Sequence, residues 1–225
     1  MLISRSQTSI FWCWLVVSML VGFPAMITGQ DEPWQAMDYG PFLSAAIEVT
    51  PDNIACKGIA IPLDDDGEHS MLFDSAELRW AAAWQGDFVQ LRGIVYDGPH
   101  GIWPRIDGDP VWTNPAGPGI AVGAKGTFAD PRPVPFGPLP AEIGRFKGMQ
   151  RDRDGVLLHY TVGKTRIFER AGFTRGEDLK AWKRSIQFID LDQLLQISLL
   201  SLEQGSFFSP SFSGPNSEFI LLKRG

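Results

Sequence analysis

The chain has 225 residues, of which 44% are hydrophobic and 20% charged, a balance that excludes an intrinsically disordered polypeptide. A formal net charge of −6 argues against a general nucleic-acid binder. Two Cys exclude a disulfide-stapled miniprotein and a four-Cys zinc module, while 24 Gly and 17 Pro without a collagen period predict many turns.

The first element is a leader. Arg5 supplies a positive start, and the apolar run from Ile10 to Phe23 suits a signal-peptide core but is short for a membrane span. Pro24 breaks any helix, and Ala25, Thr28 and Gly29 precede the acidic pair Asp31-Glu32. Residues 1–29 therefore read as a signal peptide cleaved near Gly29, which sends the chain to the periplasm or the outside. The alternative is an uncleaved anchor, the only route by which membrane contact is expected. Removing the leader removes Cys13 and leaves Cys56, which has no internal disulfide partner. It is expected to be buried as a small hydrophobe.

Residues 30–200 read as one β-rich domain. Strands are predicted over 42–49, 55–63 and 88–96. Residues 78–84, LRWAAAW, are bracketed by Phe73-Asp74 and Gln85-Gly86-Asp87 and read as a further short strand. Residues 98–144 are dense in Gly and Pro and predict a long loop, because Pro removes the backbone donor that helices need. Then comes a meander. Residues 145–150 pair across the Asp154-Gly155 turn with 156–162, in which Val156, Leu158, Tyr160 and Val162 share one face. Gly163-Lys164 turns the chain into a strand over 165–171, and 181–189 alternate again. Residues 190–200 fit helix or strand, and 219–223 fit a last strand. Residues 201–225 form an atypical Ser/Phe-rich tail, read as a truncated continuation. The fold class is all-β, an antiparallel β-sandwich-like or barrel-like domain with a long Gly/Pro-rich loop over one end.

A series of motifs runs through this domain: Met37 to Ser44 (MDYGPFLS), Lys57 to Ile61 (KGIAI), Phe73-Asp74, Leu78 to Trp84, Gly137 to Pro140 (GPLP), Arg145 to Gly148 (RFKG) and Tyr160 to Gly163 (YTVG). The series, over roughly residues 34–190, resembles an uncharacterised N-terminal domain of large secreted planctomycete-type proteins. Such proteins often also carry c-type cytochrome modules and sometimes sugar-related ones. The resemblance brings no known activity and no catalytic residues. This chain contains no Cys-x-x-Cys-His, so no haem is expected in it.

Few constellations invite chemistry. Asp64-Asp65-Asp66-Gly67-Glu68 is the densest acidic run. It would suit calcium, but the EF-hand spacing fails, because Phe73 falls where the bidentate Glu belongs. A solvated turn between strands is the stronger reading, so no cofactor is expected in this chain, with calcium as the alternative. Asp152 and Asp154 are explained by their hairpin. The segment 96–112 gathers Tyr96, Asp97, His100, Trp103, Arg105, Asp107, Asp109 and Trp112. Aromatic faces stack on pyranose rings and carboxylates accept their hydroxyls, so these eight are the candidate ligand-binding residues. The alternative is a connection whose Trp side chains plug the end of the domain.

Asp38, Glu48, Asp97 and Asp107 could pair as glycosidase carboxylates, yet nothing in the sequence sets their separation. His159 reads as a sheet residue. Arg79, Trp80 and Trp84 read as a core cluster with Arg79 stacked or paired to a carboxylate. The expected role is an exported, non-catalytic accessory or ligand-binding domain of the cell envelope, with a glycan or an envelope protein as partner. The alternative is a carbohydrate-binding or carbohydrate-active protein using 96–112.

Overall fold

The computed structural model describes residues 37–134, 137–176, 179–191, 193–199, 206–213 and 216–224, with Leu179 and the last two stretches as backbone only. The leader expected over 1–29 lies outside the described residues. Among the described residues there are thirteen strands and no helix.

The first five strands are β1 (Leu43–Thr50), β2 (Asn53–Pro62), β3 (His69–Asp74), β4 (Arg79–Gln90) and β5 (Arg105–Thr113). They follow one another up and down and close into a small barrel. An odd number of alternating strands leaves the first and last parallel. Closure is accordingly thin: Glu48 stands opposite Arg105, and the Glu48 N–H donates to the Pro104 carbonyl at 2.8 Å.

After β6 (Ile120–Val122) the chain builds β7 (Arg145–Asp152), β8 (Gly155–Val162), β9 (Thr165–Arg175) and β10 (Leu179–Ile189). Next come β11 (Leu195–Ile197), β12 (Ser206–Ser213) and β13 (Asn216–Arg224). The second sheet runs in the order β12-β13-β10-β9-β8-β7, and β11 pairs with β6 alone. The backbone of the Ser/Phe-rich tail thus joins this sheet through β13, which pairs with β10 from Leu179 opposite Arg224 to Gln187 opposite Asn216.

Two hydrophobic cores follow. Inside the barrel lie Ile47, Ala55, Ala60, Leu72, Ala81, Ala82, Trp84 and Ile106. Five strands enclose little volume, so one Trp and several Ala fill it. The second core lies between the outer face of the barrel and the six-stranded sheet. Ile59, Ile61, Met71, Phe73 and Trp80 meet Leu158, Tyr160, Ile167, Trp182 and Ile186 there. Strand β3 separates the two cores, and all six of its residues are buried.

A bulge assigns the LRWAAAW residues to these cores. Leu72 pairs with Ala82 and Phe73 with Trp80, so Ala81 is the extra residue. Ala81 and Ala82 both belong to the barrel interior, while Trp80 belongs to the inter-sheet core.

A carboxylate sits in the second core. Glu169, on β9, is 0% exposed. Its Oε1 accepts from Trp80 Nε1 and Arg184 Nε, each at 2.7 Å, and its Oε2 accepts from the Tyr160 hydroxyl at 2.7 Å. Arg184 also donates to the Ser198 and Leu199 carbonyls at 3.1 Å, and its guanidinium lies 5.9 Å from the Trp80 ring. Burial, then the Glu169 charge, holds the Tyr160 hydroxyl well above its ordinary value.

Four expectations need correction. Gln85-Gly86-Asp87 is not a turn: β4 runs through it. Gly86 has φ of +123°, and a Cβ there would stand 3.0 Å from Gly108 Cα on β5, so the two strands approach closely at paired glycines. The strand expected over 88–96 consequently ends at Gln90. Residues 98–144 are not one long loop either. Strands β5 and β6 cross them, and Pro110 is accommodated in β5 beside a register shift opposite Trp84. Finally, Cys56 is exposed on β2, not buried.

The approach of the 114–119 segment to the barrel gives a test. A Cβ on Gly119 would lie 2.3 Å from the Leu78 carbonyl oxygen and 2.5 Å from Arg79 Cα, whereas one on Gly172 in β9 would meet nothing within 4 Å. Gly119→Ala is expected to destabilise by about 2 kcal/mol or more in denaturant unfolding, and Gly172→Ala to be near neutral. Equal effects would contradict this packing.

Candidate functional site

A groove of about 1050 Å³ lies beside the mouth of the barrel. One wall is the acidic turn after β2, with Asp64, Asp65, Asp66 and Glu68. A second is the middle of β4, with Gln85, Asp87 and Phe88. The β7–β8 hairpin adds Arg151, Asp152, Arg153 and Asp154, and the segment before β1 adds Asp38 and Tyr39. Eight carboxylates therefore face two guanidinium groups.

Two of these walls are pinned from behind. Asp64 Oδ2 lies 2.6 Å from His69 Nδ1, and Asp64 Oδ1 accepts the His69 N–H at 3.2 Å. The imidazole is 0% exposed and stacks on Phe173 with centroids 3.7 Å apart. Arg175 reaches Glu68 at 3.1 Å and Asp64 at 3.7 Å. The acidic turn is thus tied to β9. An Asp–His pair can orient a general base, but this His is sealed beneath the turn, and its Nε2 has no partner among the described residues. It acts as a clamp.

On the hairpin, Asp152 accepts both Arg170 guanidinium nitrogens at 2.6 and 2.7 Å. The Arg170 hydrogen bond, then the Asp154 N–H, lowers the Asp152 carboxyl from 3.8 to about 2. Of the remaining acids, Asp65, Asp66 and Asp87 are exposed to the groove's solvent. Tyr39 packs edge-on against Phe88 with centroids 5.1 Å apart, and its hydroxyl donates to the Val89 carbonyl at 3.2 Å. Burial, then Tyr96 and Asp107, raises its hydroxyl above the usual value. Among the described residues no three of His, Cys, Asp and Glu are placed to hold one metal ion.

The eight residues singled out over 96–112 do not form one surface. Trp112 is 3% exposed and lies in the inter-sheet core. Tyr96 is half-buried against the barrel interior. Asp97 is exposed, and its Oδ1 accepts the Gly93 N–H at 2.5 Å. His100 is exposed, and Trp103 is 39% exposed. Arg105, Asp107 and Asp109 are on β5. Arg105 donates to Gln90 at 2.8 Å, Asp107 pairs with Asp87 across the sheet, and Asp109 pairs with Gln85. Trp103 and Trp112 therefore do not share one exposed ring platform. Of the proposed glycosidase carboxylates, Asp38 lines the groove, with its Oδ1 accepting the Gly40 N–H at 2.7 Å, while Glu48 sits at the barrel closure.

Sequence reasoning missed a second polar cluster. Buried Arg79 donates to Glu77 Oε2 at 2.6 Å, to Asn53 Oδ1 at 2.8 Å and to the Asn114 carbonyl at 3.1 Å. Arg132 donates to Glu77 Oε1 and to the Gly137 carbonyl, each at 2.5 Å, and grips Asp130. These bonds strap the Pro-rich stretch onto the barrel. Only the Arg79 half was legible, as a core Arg in need of a carboxylate; Arg132, 53 residues away, carried no signal. Cys56 lies beside this cluster. Burial, then Asp74 and Glu77, pushes its thiol up, the opposite of what a nucleophile needs.

The groove's hairpin wall gives a test in pH. Asp152 has a depressed folded-state value, so its pairing with Arg170 contributes stability that is complete above pH 3.8 and lost as pH falls toward about 2. An NMR titration is expected to place the Asp152 carboxyl near 2, and Arg170→Gln to return it toward 3.8. A wild-type value near 3.8 would contradict the bidentate geometry.

Residues 71–169 match a family described only as a Domain of unknown function (DUF6797). The match runs from β3 into β9, so it takes in Trp80, Tyr160 and Glu169 as well as the Asp87 and hairpin walls of the groove. No curated protein and no solved structure matches the chain. A β-rich Domain of unknown function (DUF6797) is thus found at residues 71–169.

Proposed function

We propose that the protein is an exported, non-catalytic ligand-binding module of the cell envelope, and that its binding face is the acidic groove. The observation carrying this reading is the groove itself: about 1050 Å³ of open concave space in which eight carboxylates outnumber two guanidinium groups. Ionised carboxylates only accept hydrogen bonds, so the groove selects a donor-rich ligand, a polyol or a polyamine. Tyr39 and Phe88 supply apolar faces against which such a ligand packs.

The non-catalytic reading rests on the buried His69 and on the engagement of Asp64 and Asp152, the best-positioned acids, in structural pairs. Export rests on the leader pattern. Kinship with secreted planctomycete-type proteins that carry c-type cytochrome modules rests on the motif series and belongs to the same proposal. Within it, the groove replaces the 96–112 segment as the glycan-facing surface, because Trp112 is buried and Asp97 is turned onto Gly93.

The test is a glycan array together with calorimetry against spermine and oligolysine, all in EDTA. Wild type is compared with Asp65→Asn/Asp66→Asn/Asp87→Asn, whose positions are exposed and outside both cores. One ligand class is expected to bind, about tenfold or more weakly in the triple variant. Amine binding falls steeply with salt and polyol binding does not, which separates the two classes. No binding of either class, or equal binding by the variant, overturns the reading.

A further inference from the structure

We infer that the outward face of the six-stranded sheet binds a mononucleotide at its β7 edge, with the base stacked on His159 above Gly148 and the phosphate held by Arg145, Lys147 and Arg166. None of these residues lines the groove. In register, Gly148 on β7, His159 on β8 and Phe168 on β9 stand directly opposite one another. They occupy the face opposite to Tyr160 and Ile167, which are buried in the inter-sheet core. The His159 and Phe168 rings stack with centroids 4.4 Å apart and planes within 14° of parallel at 8°. That separation is close to the ~4.8 Å between neighbouring strands, so the rings stand up from the sheet face to face, one per strand.

The row then ends at a glycine. A Cβ on Gly148 would meet nothing within 4 Å, and β7 is the last strand of its sheet, so the next place in the stack is open. A planar ring standing there lies one strand spacing from the imidazole and continues the stack. Lys147 is the extra residue of a bulge beside that place, a device by which an edge strand re-aims a side chain. The imidazole is held for stacking and not for hydrogen bonding: its Nε2 is shielded from water and has no partner among the described residues. Burial, then Arg166 and Lys147, lowers the imidazole below its ordinary value, so at neutral pH an uncharged ring stands beside two cations.

Charge selects an anion. Residues 145–190 hold eleven Lys and Arg against six Asp and Glu in a chain whose net charge is −6, and widening the span to 135–200 adds only Glu142 and Asp192. Part of that charge is spent: Arg184 on Glu169, Arg170 on Asp152 and Arg175 on Glu68. Arg166 holds Asp190 at 3.0 Å, but both are exposed, and such pairs are weak enough to yield to a phosphate. Glu218, opposite Ser185, stands three strands from His159. Arg145 and Lys147 are exposed and join no ion pair among the described residues. Arg145, Thr161 and Arg166 form the next row, two residues along β8 and β9 from the stack, which is roughly 6.6 Å. A carboxylate attached directly to a stacked ring falls short of that row. A phosphate spaced from its base by a sugar reaches it, which selects a nucleotide. The open place is one ring deep at the margin of the sheet, which suits a single nucleotide and not a strand.

The experiment is calorimetry and NMR at low salt with AMP, adenosine, inorganic phosphate and an oligoadenylate. Wild type, His159→Ser, Arg145→Gln/Lys147→Gln and the Asp65/Asp66/Asp87→Asn variant are made with the same N-terminus, and circular dichroism verifies each fold. AMP is expected to bind wild type and to shift the His159 ring resonances. Adenosine and phosphate are each expected to bind about tenfold or more weakly than AMP, since each lacks half of the recognition. His159→Ser and the Arg145/Lys147 variant are each expected to weaken AMP about tenfold or more, and the groove variant is expected not to weaken it. No AMP binding by wild type overturns the inference, as does equal AMP binding by His159→Ser or phosphate binding as tight as AMP. Oligoadenylate binding without AMP binding would assign the face to a polymer and overturn it too. The groove is tested with amines and glycans, and this face with an anion, so failure here and failure of the groove reading are distinguishable.

Discussion

The architecture hangs on one buried carboxylate. Glu169 belongs to the six-stranded sheet, but one of its three donors, the Trp80 indole, belongs to the barrel. An ionised carboxylate taken out of water is costly unless its lone pairs are met, and here Trp80, Tyr160 and Arg184 meet them at 2.7 Å each. Apolar burial is non-directional and would allow the two layers to slide. The Glu169 contacts permit one placement, and that placement orients the walls of the groove, since Asp152 and Arg170 stand on the same sheet and Asp87 on the barrel. The Asp64–His69–Phe173 contacts extend the same joint to the acidic turn.

Much of the all-β fold was readable. The β7–β8–β9 meander follows from a clean alternation in Val156, Leu158, Tyr160 and Val162 and from the Asp-Gly turn, signals that need no tertiary context. Strand β3 was not readable, because all six of its residues are buried and alternation vanishes when both faces are covered. The course of β4 misled for another reason. Gln85-Gly86-Asp87 has the composition of a turn, but Gly86 serves to let β5 approach at Gly108, a partner 22 residues away. The bulge at Ala81 likewise depends on which core each Ala can fit, which no local pattern records.

The site was only partly legible. Its densest element, the acidic turn, was visible and correctly placed between two strands, yet its composition alone suggested solvent. The gathering of that turn with Asp87, Tyr39 and the hairpin acids depends on how the barrel meets the sheet, a long-range outcome. The loop from 91 to 104 shows the reverse. Its aromatic and charged residues stand out in the sequence, but Tyr96 turns inward, as does Trp112 on the following β5, while Ile94 and Val95, which fit a strand pattern, turn out. Aromatic residues in a Gly-rich stretch reveal that packing or binding happens there, not which of the two.

Because the joint between the layers is the central claim, the most direct measurement is a denaturation cycle on the hydrogen bond that crosses it, with Trp80→Phe, Glu169→Gln and the double substitution. Each single change removes one partner of a buried charge-assisted bond and is predicted to cost about 1.5–3 kcal/mol. The double change is predicted to cost less than the sum by about 1 kcal/mol or more, with the fold retained. Near-neutral single changes, or a double change costing the full sum, would contradict the account that this bond joins the barrel to the sheet.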